Sequence, residues 1–86
     1  MQHSVWVKLM TGETIMVNYN ADDNFDEFVL KVQTALKNTI QNNSYYDGKV
    51  LIRIVCLGKE LGREYYESVK MEFPKINCIH AIYKAS

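Results

Sequence analysis

Ser4-Val5-Trp6-Val7-Lys8-Leu9-Met10-Thr11-Gly12-Glu13-Thr14-Ile15-Met16-Val17-Asn18-Tyr19 is the stretch that decides the fold. Its first half, to Met10, is rich in the β-branched and aromatic residues that suit a pleated strand. Thr11-Gly12 interrupts it, and glycine takes the positive φ of a tight turn at no steric cost. From Glu13 to Tyr19 the chain alternates. Ile15, Val17 and Tyr19 share one face, and Thr14, Met16 and Asn18 the other. Two such runs about a glycine turn predict a β-hairpin with one apolar face.

An apolar sheet face needs a cover, and the next segment supplies it. Asn20 to Asn24 is a polar connection in which Asp22, Asp23 or Asn24 can accept the unpaired N–H groups of a helix start. Asp26 and Glu27 suit the positive N-terminal end of that helix. Phe25, Phe28, Val29, Val32, Leu36 and Ile40 then recur at three- and four-residue steps, one face of an amphipathic helix. Lys31, Gln33, Lys37 and Asn38 fall largely opposite. The helix should fade near Asn42-Asn43, before a loop that carries Tyr45 and Tyr46.

Lys49 to Leu57 is apolar apart from Arg53 at its centre and its first residue, and predicts a strand covered on both sides or nearly so. Leu57-Gly58-Lys59-Glu60-Leu61-Gly62 reads as a turn, a short edge strand and another turn. Arg63 to Phe73 suits a short helix or a 3₁₀ turn ended by Pro74, with Tyr65, Tyr66 and Phe73 as core anchors or one of the two tyrosines exposed. Asn77 to Tyr83 is the last strand. The expectation is a single α+β domain over residues 1–86, a mixed sheet of four to five strands packed on one amphipathic helix.

Composition narrows the function. Ten basic and ten acidic residues cancel, so there is no general attraction to nucleic acid or to an anionic membrane surface. Weak mutual repulsion leaves self-association open, and a homo-oligomer is possible. No apolar run approaches the ~20 residues that span a bilayer, and the first residues lack a basic segment followed by an apolar one. Cytoplasm or nucleus is the expected compartment. Cys56 and Cys78 lie in apolar, strand-like runs and read as buried or half-buried thiols. With His3 and His80 they lack the close spacing of a zinc set, and they should face opposite sides of the sheet. Catalysis needs polar groups that converge in a cleft. Here the carboxylates are spread over the helix start and loops, with no phosphate-cradling glycine loop and no Ser-His-Asp arrangement. Neither enzymatic activity nor a cofactor or metal is expected.

Strand alternation sorts the remaining residues. If Val5 and Val7 point at the helix, Trp6 and Lys8 point away. Ile54 and Cys56 inward leave Arg53 and Val55 outward, and Ile79, Ala81 and Tyr83 inward leave Cys78, His80 and Ile82 outward. Exposed Trp6, Met10, Val55 and Ile82 together exceed the scattered apolar residues of an ordinary surface. Two readings of them stand: a binding surface, or strand residues covered locally by the Tyr45-Tyr46 loop. Trp6 is of a type enriched at binding hot spots and equally suits a half-buried sheet edge. His80 is a neutral surface histidine or a group that gates binding near neutral pH.

Three stretches resemble ubiquitin. Val7-Lys8-Leu9-Met10-Thr11-Gly12-Glu13-Thr14-Ile15 looks like its first hairpin, including the Thr-Gly turn. Arg53-Ile54-Val55-Cys56-Leu57-Gly58-Lys59-Glu60-Leu61 is similar to its third strand and following turn, with Gly62-Arg63 also in the family pattern. Ile79-His80-Ala81-Ile82-Tyr83-Lys84 resembles its last strand. The resemblance implies a ubiquitin-like β-grasp fold and a protein-binding patch on the exposed sheet face at Met10, Val55, His80 and Ile82. Its basic rim falls on Lys8, Arg53, Lys59 and Lys84.

The departures are equally specific. The sequence closes on Tyr83-Lys84-Ala85-Ser86 where conjugated members of the family carry Gly-Gly, so a member that is not attached to substrates is expected. Glu13 stands where the family has a lysine, and the connection from Thr39 to Lys49 is longer than ubiquitin's. The expected function is a non-conjugated protein-interaction module that binds through the outer sheet face, mimicking ubiquitin towards components of its pathway. Alternatives are a self-associating or structural subunit that buries the same face in an obligate complex, and a modifier with an atypical or trimmed tail.

Overall fold

A computed structural model describes residues 2–40, 49–76 and 79–85. The expected helix end at Asn42-Asn43, the Tyr45-Tyr46 loop and Cys78 lie outside these residues. Gly12 turns the chain at φ +92°. On either side of it, strands β1 (Gln2–Lys8) and β2 (Thr14–Asn20) pair antiparallel without a register break. Helix α1 (Phe25–Ile40) follows, then β3 (Lys49–Cys56), β4 (Lys59–Glu60), α2 (Arg63–Val69), a 3₁₀ helix over Lys70–Lys75, and β5 (Ile79–Ala85). The sheet order is β2-β1-β5-β3-β4. β1 and β5 run parallel and the other neighbours antiparallel. This five-stranded mixed sheet with one long helix across it is an α+β architecture consistent with a β-grasp.

The alternation expected from the sequence is what builds the core. Val5, Val7, Ile15, Val17, Tyr19, Ile54, Cys56, Ile79, Ala81 and Tyr83 are all buried on one sheet face, beneath Phe28, Val32 and Leu36 of α1. At one end, the rings of Tyr19, Phe28, Tyr66 and Phe73 pack together, with Phe28 and Tyr66 centroids 5.3 Å apart and Phe28 and Phe73 5.1 Å apart. Both hydroxyls of this ring cluster have partners: Tyr66 Oη donates to the Asp23 carbonyl (2.7 Å) and Tyr19 Oη to the Lys70 carbonyl (2.8 Å). Burial pushes the Tyr19 phenol up to about 12 and raises that of Tyr66 as well, so both stay protonated donors.

Of the three candidates to cap α1, Asn24 is the cap. Its Oδ1 accepts the Glu27 N–H (2.8 Å) while Glu27 Oε1 accepts the Asn24 N–H (3.0 Å), a reciprocal pair that satisfies two helix-start donors. Asp23 does something else. Its carboxylate is buried, accepts the Asn20 N–H (2.8 Å) and pairs with Lys31. The Asn20 hydrogen bond first, and Lys31 second, hold its pKa below the usual carboxylate value. A carboxylate with a depressed folded pKa contributes stability that is complete above its unfolded pKa, about 4. That contribution disappears as pH falls through the lower, folded value. Asp23→Asn should therefore melt below the wild type at neutral pH, yet lose less of its melting temperature between pH 4 and pH 2. Parallel thermal melts across that acid range check this. Equal acid sensitivity of the two proteins would remove Asp23 from the account.

Two expectations need correction. The apolar run of β3 does not mean burial on both faces: Arg53 is exposed and Val55 half-buried. A bulge shifts the β3–β5 register between Leu51 and Arg53, so an extra residue breaks the alternation and lets apolar residues follow one another. Pro74, too, does not end the second helical segment. Arg63–Val69 is α-helical and Pro74 sits inside the 3₁₀ turn that follows, which runs to Lys75. A fixed φ near −65° fits 3₁₀ geometry, so proline is tolerated there as it is not within an α-helix.

Between β3 and β4, Leu57 (φ 55°) and Gly58 (φ 79°) form the turn. Positive φ at both central residues is the type I′ pattern, for which Asn-Gly is favoured. Leu57 is strained there, and it is 58% exposed, so little burial offsets the strain. Leu57→Asn should raise stability by about 1 kcal/mol, read as a higher urea midpoint at unchanged slope. A lower midpoint would count against the strain.

Candidate functional site

The face of the sheet opposite α1 has no helix over it among the described residues. Cross-strand register arranges its side chains in rows. One row runs Thr14, Lys8, His80, Val55, Glu60 across all five strands. A second pairs Ile82 with Arg53. A third pairs Trp6 with Met16. Trp6 is 52% and Met10 48% exposed, while Val55, His80 and Ile82 are half-buried by their neighbours.

Met10 is fixed in place by its sulfur. β1 ends at Lys8 while β5 continues to Ala85. Met10 Sδ accepts the Tyr83 N–H (3.1 Å), a thioether serving as a weak acceptor beyond the end of the strand. This seats Met10 beside Ile82. Met10, Val55, His80 and Ile82 therefore share one face, and Trp6 extends it towards β2.

The rim is more mixed than the sequence suggested. Lys8 and Lys84 are exposed on the outer face. Arg53 reaches Glu60 at 3.7 Å, with both side chains more than half exposed, a pair worth little in free energy but one that brings a carboxylate to the rim. Lys59 is not part of the patch. It pairs in register with inward-facing Cys56, and its ammonium lies 4.9 Å from the Tyr65 ring centroid. Tyr65 Oη in turn donates to the Cys56 carbonyl (3.2 Å). The two-residue turn sets this phase: with Cys56 opposite Lys59, it is Glu60 that falls opposite Val55.

Met16 was missed as a surface residue of the site. It is 48% exposed and directly opposite Trp6. Its outward phase was legible in the alternation of Glu13 to Tyr19, but the family resemblance has no patch member on that strand. Among the described residues, no group of three or more His, Cys, Asp or Glu side chains gathers as a metal site. Nor, among these residues, is any helix long and apolar enough to cross a membrane. Neither a protein-family model nor a curated protein matches the sequence, so the site stands on its own geometry.

Proposed function

We propose that this domain is a protein-docking module of ubiquitin-like type that engages another protein through the outer face of its sheet. The observation that carries the reading is the uncovered face itself. Apolar side chains, Trp6, Val55 and Ile82 from three strands and Met10 from the first hairpin's turn, stand together around His80. Lys8, Lys84 and the Arg53–Glu60 pair stand beside them. An apolar centre with a polar rim is the anatomy of a transient protein interface. The cationic lysines favour a partner with carboxylates around an apolar contact, since complementary charge steers the encounter.

The resemblance of the three stretches around Gly12, Gly58 and His80 to ubiquitin adds the class of partner: proteins that recognise ubiquitin. No catalytic role is proposed. The test is an NMR titration with a ubiquitin-binding domain. Amide shifts concentrated at Met10, Arg53, Val55, His80 and Ile82 and absent in Val55→Asp are expected; shifts confined to α1 or α2 would reject the face.

A further inference from the structure

Among the described residues the sheet has two open edges, and they are built differently. β4 is two residues long, and both, Lys59 and Glu60, are charged and exposed. Short length and charge are devices by which an edge avoids pairing with another chain. β2 has neither. It runs for 7 residues, Thr14-Ile15-Met16-Val17-Asn18-Tyr19-Asn20, without a charge, a proline or a register break against β1.

The hairpin fixes which backbone groups of β2 face outward. Leu9 N–H donates to the Glu13 carbonyl (2.7 Å). In an antiparallel ladder hydrogen-bonded pairs alternate with non-bonded ones, so the bonded pairs continue at Val7/Ile15, Val5/Val17 and His3/Tyr19. The N–H and C=O groups of Thr14, Met16, Asn18 and Asn20 then point to the open side. Asn20 bears this phase out, because its N–H and carbonyl are both used by Asp23, at 2.8 Å and 3.0 Å. Thr14, Met16 and Asn18 remain as the donors and acceptors of an edge with no strand beyond it among the described residues.

We propose that this edge pairs with the β2 edge of a second copy of the chain, antiparallel about a two-fold axis at Met16. Met16 then lies opposite Met16 of the second copy, and Thr14 opposite its Asn18. Each of these is a bonded pair that exchanges both N–H···O contacts. Several observations favour a copy as the occupant. No charged residue of β2 meets its like, and the chain's net charge is zero. Asn18 Oδ1 accepts from Ser4 Oγ (2.7 Å), which leaves the Asn18 amide N–H groups directed to the hydroxyl of the facing Thr14. Trp6 and Met16, in register and half exposed, become one apolar strip, Trp6–Met16–Met16–Trp6, with thioether against ring. The contact area of a single strand pair is small, so the dimer is weak and exchanging. It shares Trp6 with the outer face but leaves Val55 and Ile82 uncovered, so Val55→Asp separates the two contacts.

Sedimentation equilibrium of the purified chain over a concentration series, with amide hydrogen exchange at low and high concentration, tests this. A reversible monomer–dimer equilibrium is expected. The Thr14, Met16 and Asn18 amides should exchange several-fold more slowly when concentrated, while Ile15 and Val17, already bonded to β1, stay unchanged. Met16→Lys sets like charges face to face and should be monomeric at an unchanged melting temperature, whereas Val55→Asp should still dimerise. A wild type that remains monomeric at about 1 mM overturns the proposal. So does a dimer that survives Met16→Lys, or one that Val55→Asp abolishes, which would place the contact on the outer face.

Discussion

Tyr66→Ala is expected to lower the melting temperature of the domain by at least about 12 °C, the largest effect of any single substitution discussed. Tyr66 is fully buried and packs against Phe25, Phe28 and Phe73. Truncating a large buried aromatic costs about 3–5 kcal/mol, because transfer free energy is lost and a cavity is left. A domain of this size has a total stability of roughly 4–13 kcal/mol at the usual contribution per residue, and each kcal/mol moves the melting point of a small domain by about 4–8 °C. The hydroxyl adds a separate effect, since the Asp23 carbonyl would lose its donor. Tyr66→Phe isolates that effect and should cost about 1–2 kcal/mol. Circular dichroism melts of both variants check the pair. A loss of under about 5 °C for Tyr66→Ala would mean that α2 is not part of the core.

The second large effect is on binding. Val55→Asp and Ile82→Asp should each weaken capture of a ubiquitin-binding domain by about 100-fold, about 2.7 kcal/mol, the scale of a hot-spot residue. Both replace a half-buried apolar side chain with a carboxylate at the centre of the face. Both positions point away from α1, so the core is not entered, and the melting temperature should shift by less than about 5 °C, as for surface substitutions. Calorimetric titration with melts of the same samples checks this. Unchanged affinity in both variants would reject the outer face as the docking site. Unfolding of either would reject the outward assignment. Lys59→Ala serves as the contrast: Lys59 lies on the other side of β4, over Tyr65, and its loss should leave binding unaltered.

Much of the fold was legible because strand alternation and helical spacing are themselves the physics of burial. Ile15, Val17 and Tyr19, or Phe28, Val32 and Leu36, could be assigned inward from period alone, and all are buried. What period could not give is phase across a defect. The bulge between Leu51 and Arg53 leaves a run of apolar residues that looks like a strand covered on both faces. The phase of Lys59 depends on a turn of two residues, where a slip by one exchanges the faces. Asp23, Asn24 and Asp22 were equivalent as caps in sequence; tertiary contacts with Asn20 and Lys31 drew Asp23 away and left Asn24 at the helix start. Met10 was placed at the hairpin tip correctly, but its sulfur contact to Tyr83 depends on how far β5 outruns β1, which no local pattern encodes.

The placement of β5 between β1 and β3 sets the order in which this protein can form. A growing chain can make the β1–β2 hairpin early, and α1 can lie against it. The β3–β4 hairpin has no strand to join until β5, which follows it in the chain, has been made. Until that strand arrives, Ile54 and Cys56 have no lateral support from Ile79 and Ala81. The loop that must close between β1 and β5 is nearly the whole chain, and its entropic cost is met before the long-range contacts return it. Folding is therefore expected to be held back until β5 is available, and then to proceed in one cooperative step.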